Sequence, residues 1–551
     1  MWRSGAALLG ALALAACATV TPPAPVQSDA YADYLIGRIA NMRQDYGAAS
    51  DRYFAALART PGDEALLDGA VTASLAAGDE ERARRAARMA PRQGGPAYAH
   101  IVRAADALSV QRWSMAATEL ERAEGSAAEE LLARILLVWA RTGQGNVDDV
   151  LVDLAPFAQI RPYGGLFAYQ QALALDLAGR GEEALAAYRA ADSGGLWLPA
   201  GIERHADLLA RTGARDAAIA LLDTDMNKQN PALAAALARA QAGQPVASER
   251  LTAARGAAIG LYGLAAVYQQ ESDTTHSLAA TTLALMLDPN FDGARIAFAQ
   301  QQARLGHVET ARSALARVRP SSPYALTART IEAWTLLDSG QEEEALAIAE
   351  ANAADGDIRA RRALADMYRS QTRFAEAEPI YSELIAQQQS DWRLYFARGV
   401  ARERLGRWSE AEADLQRALE LSPDQPDVLN YLGYSWVDRG ERLEEGLALI
   451  RRAVELRPTS GAIIDSLGWA YYRMGDYAQA LDYLERAVQL EPADPTLNDH
   501  LGDVYWRTGR RIEARFQWQR ALTMSPDDPA AIQAKLDAGL PPDPPAHSAE
   551  R

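Results

Sequence analysis

A repeat of 34 residues is the feature that most constrains how this chain can fold. Turn-forming residues recur at that distance in several places: Pro289 and Pro323; Pro458, Pro492 and Pro526; Gly179 and Gly213; Gly306 and Gly340; Gly406 and Gly440; Gly475 and Gly509. Proline cannot continue a helix, and glycine permits the tight turn that follows one. A fixed period of this length therefore predicts a long series of short helix pairs, each packed on the next.

Each period contains two helical patterns. The first combines a large residue, a glycine and an aromatic, and the second places three residues on one helix face. In the clearest period these are Leu467, Gly468 and Tyr471, then Ala480, Leu484 and Ala487. The pattern within Gly461–Pro492 resembles the tetratricopeptide repeat. The resemblance implies an all-α fold, a tetratricopeptide-repeat α-solenoid that forms a right-handed superhelix of about fourteen helix pairs.

The repeat pattern also predicts the domain organisation. Residues 30–257 form an N-terminal array with degenerate repeats, and residues 258–538 form a C-terminal array that ends in a polar capping helix. The pattern is interrupted around Gly143–Pro162 and around Gln229–Gly256, and the second interruption sets the boundary between the arrays. The proline-rich end, residues 539–551, is predicted to be a disordered tail.

The amino terminus has the features of an exported lipoprotein. A positively charged start is followed by the apolar run Ala6–Leu14, which is too short to span a bilayer and is typical of a cleaved signal peptide, residues 1–16. Leu14-Ala15-Ala16-Cys17 resembles the lipobox of bacterial lipoproteins, which implies lipid attachment at Cys17, the only cysteine. Residues 17–29 then form an anchor and a proline-rich linker. Lipoproteins kept at the inner membrane often carry aspartate after the cysteine, so the resemblance, with Ala18 at that position, implies an outer-membrane destination, facing the periplasm.

Composition and motifs argue against several other functions. The net charge of −17 disfavours nucleic acid, so the membrane is expected to be reached only through the lipid anchor. The six histidines are scattered and have no metal-ligand spacing, which predicts no metal site. A glycine pattern at Gly179–Ala184 lies between two helices, so it is a repeat turn and not a nucleotide loop. We expect no cofactor, no catalytic residues and no enzymatic activity.

A partner is expected to bind to the first helices of the last four pairs, because first helices line the concave wall of such a stack. One face of these helices is free of the Leu-Gly-aromatic set and is rich in aromatic and acidic residues, which suit a protein ligand. The predicted stripe consists of Phe396, Asn430, Tyr434, Asp465, Trp469, Tyr472, Asp499, Asp503 and Trp506. The alternative interpretation is that these rings pack between adjacent helices as ordinary core.

The closing repeats narrow the choice of partner. The segments that begin at Asp427, Ile463 and Leu497 resemble the last repeats of a group of proteobacterial tetratricopeptide lipoproteins. The resemblance implies an outer-membrane adaptor that brings peptidoglycan hydrolases to a periplasmic carboxyl-terminal processing protease. A scaffold for an exopolysaccharide or secretion assembly is the alternative, since such assemblies also use periplasmic tetratricopeptide lipoproteins.

Overall fold

A computed structural model describes residues 29–160 and 162–541 of the chain. The predicted signal peptide, Cys17, nearly all of the linker and residues 542–551 of the predicted tail lie outside these ranges. Within them the fold is entirely helical, with thirty-one α-helices, one short 3-10 helix at Ala155–Gln159 and no strand. The predicted all-α repeat fold is confirmed.

The chain divides into two compact units, Met1–Ala345 and Leu346–Arg551. Residues 258–345, which the repeat pattern placed with the C-terminal array, belong to the first unit. The described helices of the first unit are α1 (Ala30–Met42), α2 (Tyr46–Leu57), α3 (Glu64–Ala76), α4 (Glu80–Met89), α5 (Ala97–Ser109), α6 (Trp113–Leu120), α7 (Ala127–Gly143), α8 (Val147–Leu154), α9 (Gly164–Leu177), α10 (Gly181–Ser193), α11 (Pro199–Arg211), α12 (Arg215–Leu222), α13 (Asp225–Gln229), α14 (Pro231–Gln241), α15 (Ala253–Gln270), α16 (Thr274–Leu287), α17 (Asp292–Arg304), α18 (Val308–Leu315) and α19 (Ala325–Asp338).

Helix α20 (Glu342–Ala353) contains the boundary between the units. The second unit continues with α21 (Ile358–Ser370), α22 (Phe374–Gln387), α23 (Trp392–Arg404), α24 (Trp408–Leu421), α25 (Pro426–Arg439), α26 (Leu443–Leu456), α27 (Gly461–Arg473), α28 (Tyr477–Leu490), α29 (Pro495–Arg507), α30 (Arg511–Leu522) and α31 (Pro529–Ala538).

Short local signals produce each helix pair. Between α27 and α28, Gly475 adopts a φ of 82°, which glycine reaches without steric cost. The Asp476 side chain then accepts a hydrogen bond from the backbone N–H of Gln479 at 3.1 Å and caps α28. Within the pair, a Cβ on Gly468 would lie 2.6 Å from Cγ of Leu484, so the glycine allows the two helices to approach closely. The glycine of the Leu-Gly pattern is therefore the point of closest packing within the pair.

The first unit differs from a simple stack, because one hairpin lies inside it. Helices α15 and α16, the central hairpin, contact the first helices of four earlier pairs, α3, α5, α7 and α9. Thr282 donates a hydrogen bond to the Leu75 carbonyl at 2.8 Å, and Tyr268 donates one to the Ala128 carbonyl at 2.8 Å. Every residue from 277 to 287 is buried, as expected for a helix surrounded by protein. The inner side of this array is therefore filled by its own chain.

Glycines on α15 permit this packing. Gly256, Gly260 and Gly263 share one face of the helix, at spacings of four and three residues. A Cβ on Gly256 would overlap the ring of Trp139, and a Cβ on Gly263 would lie 2.6 Å from Cδ1 of Leu166. Larger residues at these positions would push α15 away from the helices that surround it.

The shortened repeat between α14 and α15 contains an extended segment instead of a second helix. Buried acidic side chains of α11 hold its backbone: Asp207 accepts from the Ala247 N–H at 3.0 Å, and Glu203 accepts from the Ser248 N–H at 3.3 Å. Val246 is fully buried in the neighbouring apolar cluster. Side-chain carboxylates thus replace the hydrogen-bonding partners that a regular helix would supply.

Candidate partner-binding site

The nine residues of the predicted stripe all lie on first helices of the second unit. Phe396 is on α23, two are on α25, three on α27 and three on α29. Asp465 and Asp503 are each only 4% exposed, and the other seven are half-buried. The stripe therefore contains two kinds of side chain. The half-buried ones could contact a partner directly, whereas the two buried carboxylates interact with other residues of the chain.

Stacked rings form the middle of the stripe. The Trp469 ring lies 4.7 Å from that of Tyr472, with a 10° angle between the planes, and 4.0 Å from that of His500, at 15°. His500 Nδ1 lies 2.8 Å from an Asp465 carboxylate oxygen. We call Asp465, Trp469, Tyr472 and His500 the aromatic cluster. Such stacks present a large, rigid contact area, which suits a protein ligand.

His500 is a member of the site that the sequence did not single out. It belongs to α29 and reaches back across 35 residues, about one repeat, to Asp465 on α27. Burial by itself lowers the pKa of His500, but the charge and hydrogen bond of Asp465, together with the charges of Asp503 and Asp499, raise its pKa above the usual value. The repeat period could have indicated that His500 lies near Asp465, since positions one period apart lie on neighbouring first helices.

The earlier part of the stripe has a different character. The Phe396 ring packs edge-on against Tyr431 at 5.8 Å, and the Tyr431 hydroxyl donates to Glu403 at 3.0 Å. Burial, followed by the charges of Asp438 and Asp465, raises the pKa of Tyr434, which keeps its hydroxyl protonated. Asn430 Oδ1 is enclosed and has no hydrogen-bond partner among the described residues. The stripe residues in this part, Phe396, Asn430 and Tyr434, are therefore uncharged.

Helix α31, the last of the described helices, covers the end of the stripe. Lys535 of α31 donates to Asp499 at 2.8 Å and to Asp503 at 2.9 Å. The second oxygen of Asp503 accepts from Trp518 Nε1 at 2.9 Å. Because both carboxylates already have internal partners, they hold α31 against the last helix pair.

Trp506 is enclosed by the same C-terminal segment. Its ring lies 5.5 Å from that of Trp518, and a Cβ on Gly539 would overlap it. Arg507 donates to the Pro541 carbonyl at 2.6 Å, which holds the chain beyond α31 beside it. Arg507 also donates to the Tyr472 hydroxyl at 3.2 Å. The structure therefore brings Asp499, Asp503 and Trp506 together beneath α31, beside the aromatic cluster.

The described residues contain no group of His, Cys, Asp and Glu side chains that could hold a metal ion. In the same part of the chain, no helix has both the length and the apolar character needed to cross a bilayer. The carboxylates of the stripe are engaged with His500, Lys535 and Trp518. The half-buried rings of Trp469 and Tyr472 are therefore the groups of the aromatic cluster that remain for contact with another molecule.

Comparison with known proteins identifies the repeats. Residues 362–426, 396–461 and 466–529 match the tetratricopeptide repeat family model, so the second unit carries tetratricopeptide repeats. The fold as a whole is a tetratricopeptide-repeat solenoid, and repeats of this kind are protein-interaction scaffolds. No curated protein matches the chain.

Solved structures resemble the chain at low identity. A tetratricopeptide repeat protein from Parabacteroides merdae is 17% identical, covers 44% of this chain and 97% of its own, and has a TM-score of 0.38. The Cut9–Hcn1 hetero-tetramer of APC/C is 16% identical, covers 93% and 97%, and has a TM-score of 0.41. PilF of Pseudomonas aeruginosa is 19% identical, covers 31% and 78%, and has a TM-score of 0.29. Similarity at this level concerns the repeat fold and carries no information about partners.

Proposed function

We propose that this protein is a non-catalytic adaptor, anchored by lipid to the periplasmic face of the outer membrane. It brings a carboxyl-terminal processing protease together with cell-wall hydrolases that the protease degrades. The closing repeats support the protease as partner through their resemblance to adaptor lipoproteins. A lipid anchor supports the arrangement physically, because partners tethered near the cell wall meet at a high effective concentration.

The observation that carries the proposal is the contrast between the two units. In the first, the central hairpin occupies the inner side of the helix stack, so a partner cannot enter there. In the second, helices contact mainly their neighbours along the chain, and the aromatic cluster keeps two half-buried rings, Trp469 and Tyr472. We therefore place the partner on α25 and α27, with the aromatic cluster as its main contact.

The lipid anchor can be tested by changing one atom. Cys17→Ser removes the thiol that receives the lipid, and the variant should leave the outer-membrane fraction for the soluble periplasm. A Cys17→Ser protein that still sediments with the outer membrane would contradict the anchor and the proposed location.

The adaptor role requires a test on turnover in cells. Deleting Asp391–Leu540 should stabilise a cell-wall hydrolase and abolish capture of the protease from solubilised envelopes. Because that deletion removes most of the second unit, a double variant, Trp469→Ala with Tyr472→Ala, provides a gentler test. Phe516→Ala is the matched control, since its ring is 63% exposed on α30, away from the cluster.

The two outcomes are distinguishable. Loss of protease capture in the double variant, with normal capture by Phe516→Ala, supports the adaptor. If the hydrolase turns over normally without this protein and no protease co-purifies, the alternative takes its place, a scaffold in an exopolysaccharide or secretion assembly. That alternative predicts capture of components of such an assembly instead.

A further inference from the structure

A cavity of about 640 Å³ lies within the first unit, away from the predicted stripe. It opens where the turn between α3 and α4 meets α17 and α18, two pairs far apart in sequence. Gln302 donates to the Ala76 carbonyl at 2.8 Å and holds the two regions together beside it. The cavity is therefore fixed on both sides by the closed packing of this unit.

One wall of the cavity contains a buried arginine without an ion pair. Arg295 is only 6% exposed, and its guanidinium donates through Nη2 to the Pro289 carbonyl. Nε is enclosed without a partner, and among the described residues no carboxylate lies within ion-pairing distance of it. Burying an unpaired charge costs free energy, and burial accordingly lowers the pKa of Arg295. The charges of Asp292, Glu80 and Asp288 act on Arg295 from beyond ion-pairing distance and oppose this shift, so the guanidinium stands beside the cavity without a direct counter-ion.

A second arginine lines the same cavity. Arg317, just after α18, is exposed and makes no ion pair or side-chain hydrogen bond with any described residue. Arg317 and Arg295 line the same cavity. The charge of Asp292 raises the pKa of Arg295, and the like charge of Arg317 opposes it by repulsion. An anion between them would replace this repulsion by two attractive contacts.

The acidic residues that line the cavity are already engaged. Asp79 caps α4 by accepting from the Arg82 N–H at 2.9 Å, and Glu80 pairs with Arg84 at 3.2 Å. Glu81 and Glu309 stand at the rim, where their side chains are 77% and 85% exposed and pair with arginines outside the cavity. Solvent screens these two charges, so they oppose an anion at the arginine wall only weakly.

Apart from Arg84, which pairs with Glu80, the rest of the lining is apolar or carries hydroxyls. Leu285 and Phe298 supply apolar surface, and Thr310 and Ser313 supply hydroxyls that can donate to an oxyanion. Small-molecule sites commonly combine an apolar lining with a few polar groups that fix the orientation of the ligand. A ligand that matches both parts of this cavity has an anionic head and an apolar body.

We propose that this cavity binds a small organic oxyanion, a carboxylate or a phosphate monoester attached to an apolar group. Arg317 and Arg295 hold the anionic head, and Leu285 and Phe298 contact the apolar body. The proposal concerns the first unit alone and does not depend on the adaptor role.

Calorimetric titration of the purified full-length protein tests the site with four probes: N-acetylphenylalanine, its neutral amide, phenyl phosphate and inorganic phosphate. At least one of the two organic anions should bind, about tenfold more tightly than the neutral amide or inorganic phosphate. Arg317→Gln should weaken that binding about tenfold without unfolding the protein, since Arg317 is exposed. Arg304→Gln is the matched control, because Arg304 is an exposed, unpaired arginine of α17 outside the cavity.

Four results would overturn the proposal. Equal binding of the amide would mean an apolar pocket without anion recognition, and equal binding of inorganic phosphate would mean that the apolar surface has no role. Unchanged affinity in Arg317→Gln, or no binding of any probe, would remove the site altogether. Arg295→Lys, which keeps the buried charge but loses the guanidinium, should also weaken binding, and its melting temperature would reveal any loss of folding.

Discussion

At the scale of single residues, the second unit combines aromatic rings with carboxylates that have internal partners. The sequence placed Asp465, Trp469 and Tyr472 on one helix face correctly, because that placement follows from spacing alone. It did not identify His500 or Lys535, because each joins the site from a different helix. Helical spacing describes one helix, whereas a site built across repeats depends on how those repeats pack.

Two tryptophans of the stripe should respond differently to truncation. Trp506→Ala removes a ring that α31, Gly539 and Trp518 enclose, and should lower the free energy of unfolding by about 2 kcal/mol, somewhat less than for a fully buried ring. Trp469→Ala loses mainly its stacking with Tyr472 and His500, and should cost about 1 kcal/mol. Denaturant unfolding of both variants measures the difference. Equal losses, or a larger loss for Trp469→Ala, would instead support the interpretation of the stripe as ordinary core.

The His500–Asp465 pair should make stability depend on pH. A histidine whose folded pKa is raised stabilises the fold fully below its unfolded pKa of about 6.5, and that contribution is lost as pH rises through the higher folded pKa. The stability lost in Asp465→Asn relative to the natural protein should therefore be larger at pH 6 than at pH 9. Parallel denaturant curves at both pH values provide the measurement. A difference that does not change with pH would show that the pair does not titrate in this range.

At the scale of helices, the repeat predicted the pairs but not the two helices that depart from simple stacking. The central hairpin has the same local pattern as other pairs, yet its hydrogen bonds reach first-helix residues 140 and 207 positions earlier in the chain. A repeat period predicts which helix pairs are neighbours along the chain. It does not predict which distant helix pairs pack against each other. The glycines of α15 were the available signal, because three small residues on one helix face permit contact with another helix on that side.

The glycine face of α15 can be tested by adding a single methyl group. Gly256→Ala should destabilise the first unit by about 1–3 kcal/mol, because the new Cβ overlaps the Trp139 ring. Gly181→Ala is the control, since a Cβ there would meet nothing closer than Leu208 Cδ1 at 4.0 Å. Thermal unfolding of the two variants provides the comparison. If Gly256→Ala melted like Gly181→Ala, the close packing of α15 would be contradicted.

Lys535 should hold α31 in place through charge. Lys535→Met leaves Asp499 and Asp503 close together without their cation, which should cost about 1–3 kcal/mol, less than for a fully buried pair. Adding Asp499→Asn should recover part of that loss, because it removes one of the two like charges. The melting temperatures of the single and double variants measure this coupling. Simple additivity of the two substitutions would indicate that the three groups do not interact.

At the scale of the whole chain, the two units illustrate two ways of using the same repeat. The first is held by hydrogen bonds between residues about 200 positions apart, such as Thr282 with Leu75 and Gln302 with Ala76. The described hydrogen bonds of the second unit span about one repeat at most, as between Asp465 and His500. Packing between distant parts of the chain couples many helix pairs, so that they open together. In a stack held only by contacts between neighbouring pairs, the end pairs can open independently.

Hydrogen exchange should therefore separate the units. In the first unit, amides of α3, α7 and α15 should exchange at similar slow rates, because opening any one of these helices disrupts the central hairpin. In the second unit, protection should decrease gradually from α25 towards α31, because each pair is stabilised mainly by its neighbours. Mass spectrometry of peptides after timed labelling gives both patterns, and Gly256→Ala should accelerate exchange throughout the first unit without changing the gradient in the second. A gradient of amide protection within the first unit, or uniform protection from α25 to α31, would contradict the interpretation that the central hairpin couples the helices of the first unit.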